Sequence, residues 1–351
     1  MRVAIVGGGI GGLAAAGALH RDGWSVNLFE RERDPSGDGT ALGIWPSALR
    51  ALDRLGIGAA VRERATAQRL ARFVRPDGHS IGRIDAASLV RRTGDPVYLL
   101  SRPALLELLR SAAAASSLHF GSAVDDVRTL TDEYDLVVAA DGVFSRARTT
   151  LLGDAYRAAY AGVAIWRGWI DDRPTEDMTE VWGRGAKFGV TPQEGGRTNW
   201  YAATAAPEGS FAHGRELARL HEVHDGWCDP VRSVLGQVTE ASILRHDLYV
   251  APRLHTFIPS GVALIGDAAH AMCPDLGRGA CEAVIDAVTL AGCLRDRGVE
   301  EGLRAYDRQR RPVTRRLTRT SSAASRLTRW RRARWLRDGL LRLSLLLPPP
   351  P

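Results

Sequence analysis

Arg2-Val3-Ala4-Ile5-Val6-Gly7-Gly8-Gly9-Ile10-Gly11-Gly12 is the stretch that decides the fold. A strand-like apolar run leads directly into GxGxxG, with Gly7, Gly9 and Gly12 at the three glycine positions. Each glycine answers a different demand. The first permits the tight turn, the second lets backbone approach a pyrophosphate, and the third lets the next helix pack close to the strand. The phosphates then meet the positive end of the helix dipole. A helix over about Gly11 to Asp22 and a second strand over about Ser25 to Glu30 complete a βαβ unit. Glu30 at that strand's end is placed for ribose hydroxyls, and Arg31 beside it joins the candidate cofactor residues. The opening therefore predicts a parallel sheet covered by helices, built around a dinucleotide-type cofactor.

Outward from this unit, further helices are expected at Ser47 to Leu55 and at Pro103 to Ala115, the latter with proline in its first turn. Tyr134 to Ala140 reads as a buried parallel strand. Between about Ala155 and Pro252 the texture changes to tryptophans and short alternating runs such as Thr198-Asn199-Trp200-Tyr201, which fit antiparallel strands. Leu254 to Ile265 then returns to the parallel style, ending in the strand Val262 to Ile265. The expected fold is α/β: a Rossmann-like domain from 1–70, 98–154 and 255–300, interrupted by a mostly antiparallel β-sheet domain from 71–97 and 155–254. A C-terminal helical segment spans 301–351. Its stripe of Val313, Leu317, Thr320, Ala324 and Leu327 predicts a packed helix with an arginine-rich outer face. Only Pro348 to Pro351 is of low complexity.

The 351 residues suffice for about two domains. The net charge of +7 suggests nucleic acid until it is mapped along the chain. Arg304 to Arg342 holds 14 arginines against Asp307 and Asp338, so the remainder carries 33 basic and 38 acidic residues. The excess belongs to one segment with an apolar stripe, and no nucleic-acid partner is expected. Cys228, Cys273, Cys281 and Cys293 form no CxxC pair or zinc-like cluster, so no metal site is expected. With a strand at its opening, no secretory leader is expected, and no uncharged run approaches the ~20 residues of a membrane span. A cytoplasmic protein is the expectation.

A second signature lies at Ala263-Leu264-Ile265-Gly266-Asp267-Ala268-Ala269-His270, followed by Pro274, Gly277, Arg278, Gly279 and Ala280 and an apolar helix to about Leu294. A carboxylate at a strand terminus can accept from sugar-type hydroxyls, while the glycines leave room for a flat ring. A helix beginning near Gly279 aims its positive end at any anion before it. With GGGIGG and Glu30, with Asp135 to Arg148 (DLVVAADGVFSRAR) and with Leu100 to Leu105 (LSRPAL), the chain resembles the class A flavoprotein monooxygenases of the para-hydroxybenzoate hydroxylase superfamily along nearly its whole length. Within that superfamily it is most similar in look to salicylate and urate hydroxylases and zeaxanthin-type epoxidases, including Tyr160 to Gly168 and Trp182-Gly183.

That resemblance implies FAD as cofactor, NADPH or NADH as co-substrate and O2 as oxidant. Oxygen would pass through a C4a-hydroperoxyflavin to an aromatic or polycyclic small molecule, by hydroxylation or epoxidation. It implies contacts to FAD from Arg102, Gly266 and Asp267, and from Asp141 and Gly142, which could also serve NAD(P)H. Pro274, Gly277 and Arg278 would flank the ring, with no catalytic side chain required. His270 within this motif is expected to be structural. Two departures stand out: Gly39-Thr40-Ala41 where GxG is usual, and Arg278 where glutamine is common. Arg278 would either add fixed positive charge at the flavin or point outward into solvent. Arg167, Trp182 and Trp200 are the candidate substrate contacts, although the tryptophans suit a core better than a substrate wall and Arg167 equally suits a salt bridge. A flavin-dependent halogenase and a ligand-sequestering flavoprotein are the alternatives. Halogenases need a positioned lysine, and Lys187, the single lysine, lies in a different segment.

Overall fold

The computed structural model describes residues 1–34, 39–171 and 175–346. Arg2–Val6 sits at the centre of a five-stranded sheet in the order Ala263–Leu264, Leu136–Ala139, Arg2–Val6, Ser25–Glu30, Ser117–Phe120, with every neighbouring pair parallel. Val3, Ala4 and Ile5 are wholly buried, as a parallel strand covered on both faces requires. Helices Ile10–Arg21, Arg102–Ala112 and Gly279–Arg297 enclose it. The long helix Val299–Thr328 packs on Gly279–Arg297. A small sheet of Ala41–Ile44, Tyr98–Ser101 and Thr66–Ala67 bridges toward the second half of the molecule.

The second sheet has seven strands, in the order Leu244–Val250, Ala159–Ile170, Thr198–Ala205, Ala186–Pro192, Met178–Trp182, Leu70–Val74, Ser80–Asp85. All pairs are antiparallel except Met178–Trp182 with Leu70–Val74, which run parallel. Successive side chains point to opposite faces. Ala164, Trp166, Phe188, Val190, Trp200 and Ala202 form one face, packed on Leu220, Trp227, Val231 and Val234 from helices Glu216–His224 and Val231–Leu235. Arg167, Lys187, Gly189 and Tyr201 lie on the other face, by their alternation with that set.

Burial removes both tryptophans from the candidate substrate contacts. Trp200 is wholly buried, stacked on Phe188 at 5.7 Å, on the face away from the cofactor domain, so it is core. Trp182 is also buried; it packs edge-on against Phe73 and lies beneath Leu341 of the terminal helix Arg334–Leu346. Removing either ring would cost about 3–5 kcal/mol.

The C-terminal stripe is likewise out of phase with its reading. The buried face of Val299–Thr328 runs through Leu303, Tyr306, Arg310, Thr314, Leu317, Ser321, Ser325 and Thr328, while Val313 is 41 % exposed. The contact face uses an arginine and hydroxyls because it packs on loop backbone: Ser321 Oγ donates to the Cys273 carbonyl at 2.7 Å. Apolar periodicity does not reveal such a face. Pro348 to Pro351 lies outside the described residues.

His224 gives this core a pH signature. It is wedged edge-on between Phe188 and Trp227, and burial depresses its pKa to about 4. The unfolded chain takes up this proton below about pH 6.5 while the native state refuses it, so native stability falls as pH drops from there toward 4. His270 acts oppositely, because its folded pKa is raised. His224→Gln, neutral throughout, is expected to lessen the fall in melting temperature between pH 7 and pH 5. An unaltered pH dependence in the variant would contradict this account.

Candidate functional site

The glycine turn has the geometry its spacing demands. Gly7 has φ +109°, and a Cβ there would stand 2.4 Å from the Ala140 carbonyl oxygen; at Gly12 it would stand 1.8 Å from the Gly7 oxygen. At Gly9 a Cβ would meet nothing within 4 Å. Two glycines are therefore required by the protein's own packing, whereas the third opens onto the cleft. Glu30 is fixed beside the turn, its carboxylate accepting from the Gly8 N–H at 2.6 Å and the Glu32 N–H at 2.8 Å. Arg31 lies outside this cradle: its side chain is exposed and pairs with Glu32 at 3.3 Å.

Two charged groups face the same cleft without hydrogen-bond partners among the described residues: the Arg102 guanidinium and the Asp267 carboxylate. Arg102 opens its helix at the end of Tyr98–Ser101, with its N–H held by the Thr40 carbonyl at 3.2 Å. Burial lowers its pKa, opposed by Glu30 and Asp267. The Asp267 side chain is reached from the cleft but lies deep in the molecule. That depth raises its pKa, against the pull of His270, Arg148 and Arg102. The Gly39-Thr40-Ala41 departure makes a bridge here, since the Ala41 N–H donates to Asn199 Oδ1 on the second sheet at 3.1 Å. An open cavity of about 640 Å³ lies alongside, between Ser101, Pro103 and Glu107 on one wall and Trp169, Gln193 and Arg197 on the other.

The loop bearing Asp267 is held from beneath. Asp286 Oδ2 accepts from the Gly266 N–H at 2.9 Å and from His270 Nε2 at 2.6 Å, while its Oδ1 accepts from Arg310 Nε at 2.6 Å. Burial would raise the Asp286 pKa, but His270 and Arg310 outweigh it and bring it to about 2. His270 is thus a structural partner of Asp286, which raises its pKa against the effect of burial. Arg148, wholly buried, donates to the carbonyls of Tyr156, Val143 and Ala268 at 2.7, 2.6 and 2.9 Å, stitching the two signature segments together. The Asp141 carboxylate accepts from Ser145 Oγ at 2.5 Å and the Ala147 N–H at 3.0 Å, capping helix Arg146–Leu152. Gly142 beside it has φ +81°.

Arg278 follows neither of its two expected courses. It is buried, paired with Glu282 Oε1 at 2.7 Å and laid over the Trp45 ring at 5.4 Å. Its charge is neutralised inside the protein, because an unpaired buried guanidinium would be too costly. Beside it Pro274 and Gly277 are exposed, Gly277 in the left-handed conformation (φ +59°), and Gly279 and Ala280 open the following helix, half-buried.

On the sheet side, the Arg167 guanidinium is half-buried, and no described residue accepts from it; its Nε is wholly enclosed. Burial lowers its pKa, and the nearby Arg102 lowers it further. His246, opposite Ile165 on the neighbouring strand, is kept neutral by burial and by Arg167 and Arg245, with its pKa at about 4. Composition and motif reading missed a buried cluster on this face. Lys187 Nζ pairs with Asp275 at 2.9 Å and Glu180 at 3.5 Å, and Tyr201 donates to Glu180. Burial works against the Lys187 ammonium, but the two carboxylates hold its pKa above the ordinary value. The alternation of Glu180, Trp182 and Lys187 in neighbouring strands was the available signal.

A turn that admits phosphate backbone-close, an unpartnered arginine and a carboxylate at strand ends together suit a dinucleotide cofactor. The chain belongs to the FAD binding domain family, whose model matches residues 1–136 and 123–321. The aurachin C monooxygenase/isomerase of Stigmatella aurantiaca is 32% identical over 84% of this chain and 80% of its own length. An FAD-dependent urate hydroxylase of Klebsiella pneumoniae is 28% identical, covering 88% and 86%. The solved structure of Klebsiella pneumoniae HpxO with FAD and uric acid superposes with a TM-score of 0.87 at 26% identity, over 98% of this chain and 92% of that one. The chain is an FAD-dependent monooxygenase, and NAD(P)H as co-substrate is typical of its family.

Gly9→Val is expected to abolish tight FAD binding while leaving the FAD-free protein's melting temperature near wild type. Gly12→Ala is expected to lower that stability by about 1–3 kcal/mol through overpacking. Full FAD occupancy in Gly9→Val, measured by flavin absorbance after gel filtration, would remove the turn from the cofactor site.

Proposed function

We propose that Gly9, Arg102, Asp267 and the Gly277–Ala280 turn hold FAD, and that the substrate lies between that cofactor and the cleft face of the seven-stranded sheet. In this reading 1–70, 98–154 and 255–300 carry the cofactor and 71–97 and 155–254 carry the substrate. The substrate is an aromatic or polycyclic small molecule bearing an acidic hydroxyl or enol, which Arg167 binds as its oxyanion. One observation carries the substrate assignment: Arg167 is a recessed cation with no acceptor among the described residues, beside a second cation and a neutral histidine. An anion supplied by substrate would satisfy both its charge and its enclosed Nε.

When bound, FAD supplies reductive activation of O2 and transfer of one oxygen atom to the substrate. The chain's own residues bind, orient and exclude water. Arg167 would hold the substrate oxygen ionised, keeping the adjoining ring or double bond electron-rich. His246, neutral above about pH 4, adds an uncharged hydrogen-bonding group beside Arg167. Lys187, committed to Asp275 and Glu180, is not presented as the free amine that a halogenase would use. Its pair with Asp275 instead ties the sheet to the Pro274–Gly277 loop.

NADH and NADPH oxidation should be followed across paired phenols or enols and their methyl ethers. The hydroxylated compounds are expected to stimulate oxidation and the ethers are not. Arg167→Met should raise the KM for an active hydroxylated compound by roughly 10- to 100-fold, the worth of a charged hydrogen bond, with FAD occupancy intact. Equal stimulation by both series, or an unchanged KM, would contradict the assignment.

A further inference from the structure

Helix Arg334–Leu346 has one packed side and one outward apolar side. Arg337, Asp338 and Leu341 are buried, and Leu345 is half-buried. This side covers the edge strand Ser80–Asp85: Leu341 packs with Ile81 and Trp182, and Arg342 Nε donates to the Ile81 carbonyl at 2.8 Å. Arg337 donates to the Trp182 carbonyl at 3.1 Å, and Asp338 receives Arg75 at 2.6 Å. The fold accounts fully for this side, which blunts a sheet edge.

Leu336, Leu340 and Leu343 recur at steps of four and three, so they share the face turned away from the packed one. They are exposed, Leu343 at 59 %, together with Trp330 and with Trp335 at 74 %. Arg331, Arg332 and Arg334 are exposed beside them. From Arg329 to Leu346 the single acidic residue is Asp338, and it is buried in ion pairs with Arg337 and Arg75. The outward surface therefore combines tryptophan, leucine and uncompensated arginine.

We propose that this helix and the turn before it form an interfacial anchor that lays the enzyme on an anionic lipid surface. No helix among the described residues is long and apolar enough to cross a membrane, so the contact is in the interface plane. Trp330 and Trp335 suit the headgroup boundary, the three leucines reach the acyl region, and the arginines meet lipid phosphates. Charge decides against a second copy as the occupant. Two such faces in contact would oppose six exposed guanidiniums with no exposed carboxylate of this segment between them.

The test is flotation of the FAD-loaded enzyme with vesicles of pure phosphatidylglycerol or pure phosphatidylcholine. Binding to phosphatidylglycerol is expected, weaker on phosphatidylcholine by at least roughly tenfold, since each arginine near an anionic surface contributes about fivefold. High salt should weaken it. Leu340→Glu with Leu343→Glu, both at exposed positions, should abolish flotation while FAD content and melting temperature stay at wild type. Flotation unaffected by that double variant would overturn the proposal. So would absent flotation, whether the enzyme is monomeric or forms a dimer that the double variant dissociates in light scattering.

Discussion

The loop that carries Asp267 depends on one buried carboxylate, Asp286. It lies wholly inside helix Gly279–Arg297 and accepts three hydrogen bonds, from the Gly266 N–H, His270 and Arg310. Burying a charge is costly unless it is paired and its lone pairs are filled. Here the pairing spans separate segments, so satisfying Asp286 fixes the turn at Gly266, the helix that follows it and the long C-terminal helix together. Glu282, one turn earlier, extends the network by taking both Arg278 and Arg310. Removing one partner from such a set would leave a buried charge, a loss of about 3–5 kcal/mol. Asp267 stands at the cleft because Gly266, with its positive φ, is held by Asp286 from below.

Such a network explains why a residue as polar as Arg310 lies on the contact face of an otherwise arginine-decorated helix. It also explains the arginine at 278. Cation and carboxylate are i and i+4 on one helix start, so the charge that sequence places beside the flavin is spent on Glu282 instead. In the proposed site the electrostatics around the ring would then rest on the helix end and on Arg102 and Arg167, neither of which pairs with a described carboxylate.

Local signals carried the cofactor half of the fold. Gly7, Gly9 and Gly12, Glu30 and the strand around Val137 were legible because each satisfies a constraint set within a few residues. Asp286 and Glu282 were not, because in an apolar helical run they read as occasional solvent-facing acids, and their partners lie at residues 266–278 and 310. The tryptophans show the other limit. Alternation in Thr198 to Ala205 separates Trp200 from Tyr201, but nothing local says which face a helix will cover and which will meet the cofactor domain. Arg167 was picked out, while Lys187 was not joined to Glu180, Tyr201 and Asp275, for want of that one piece of information.

The central claim is that the cleft of Gly9, Arg102 and Asp267 is an FAD site. Flavin stoichiometry measures it most directly: absorbance of the purified chain after gel filtration in the presence of FAD, followed by acid precipitation. The account predicts close to one FAD per chain, released into the supernatant on denaturation. A chain that emerges colourless, or whose flavin stays with the precipitate as a covalent adduct, would contradict it.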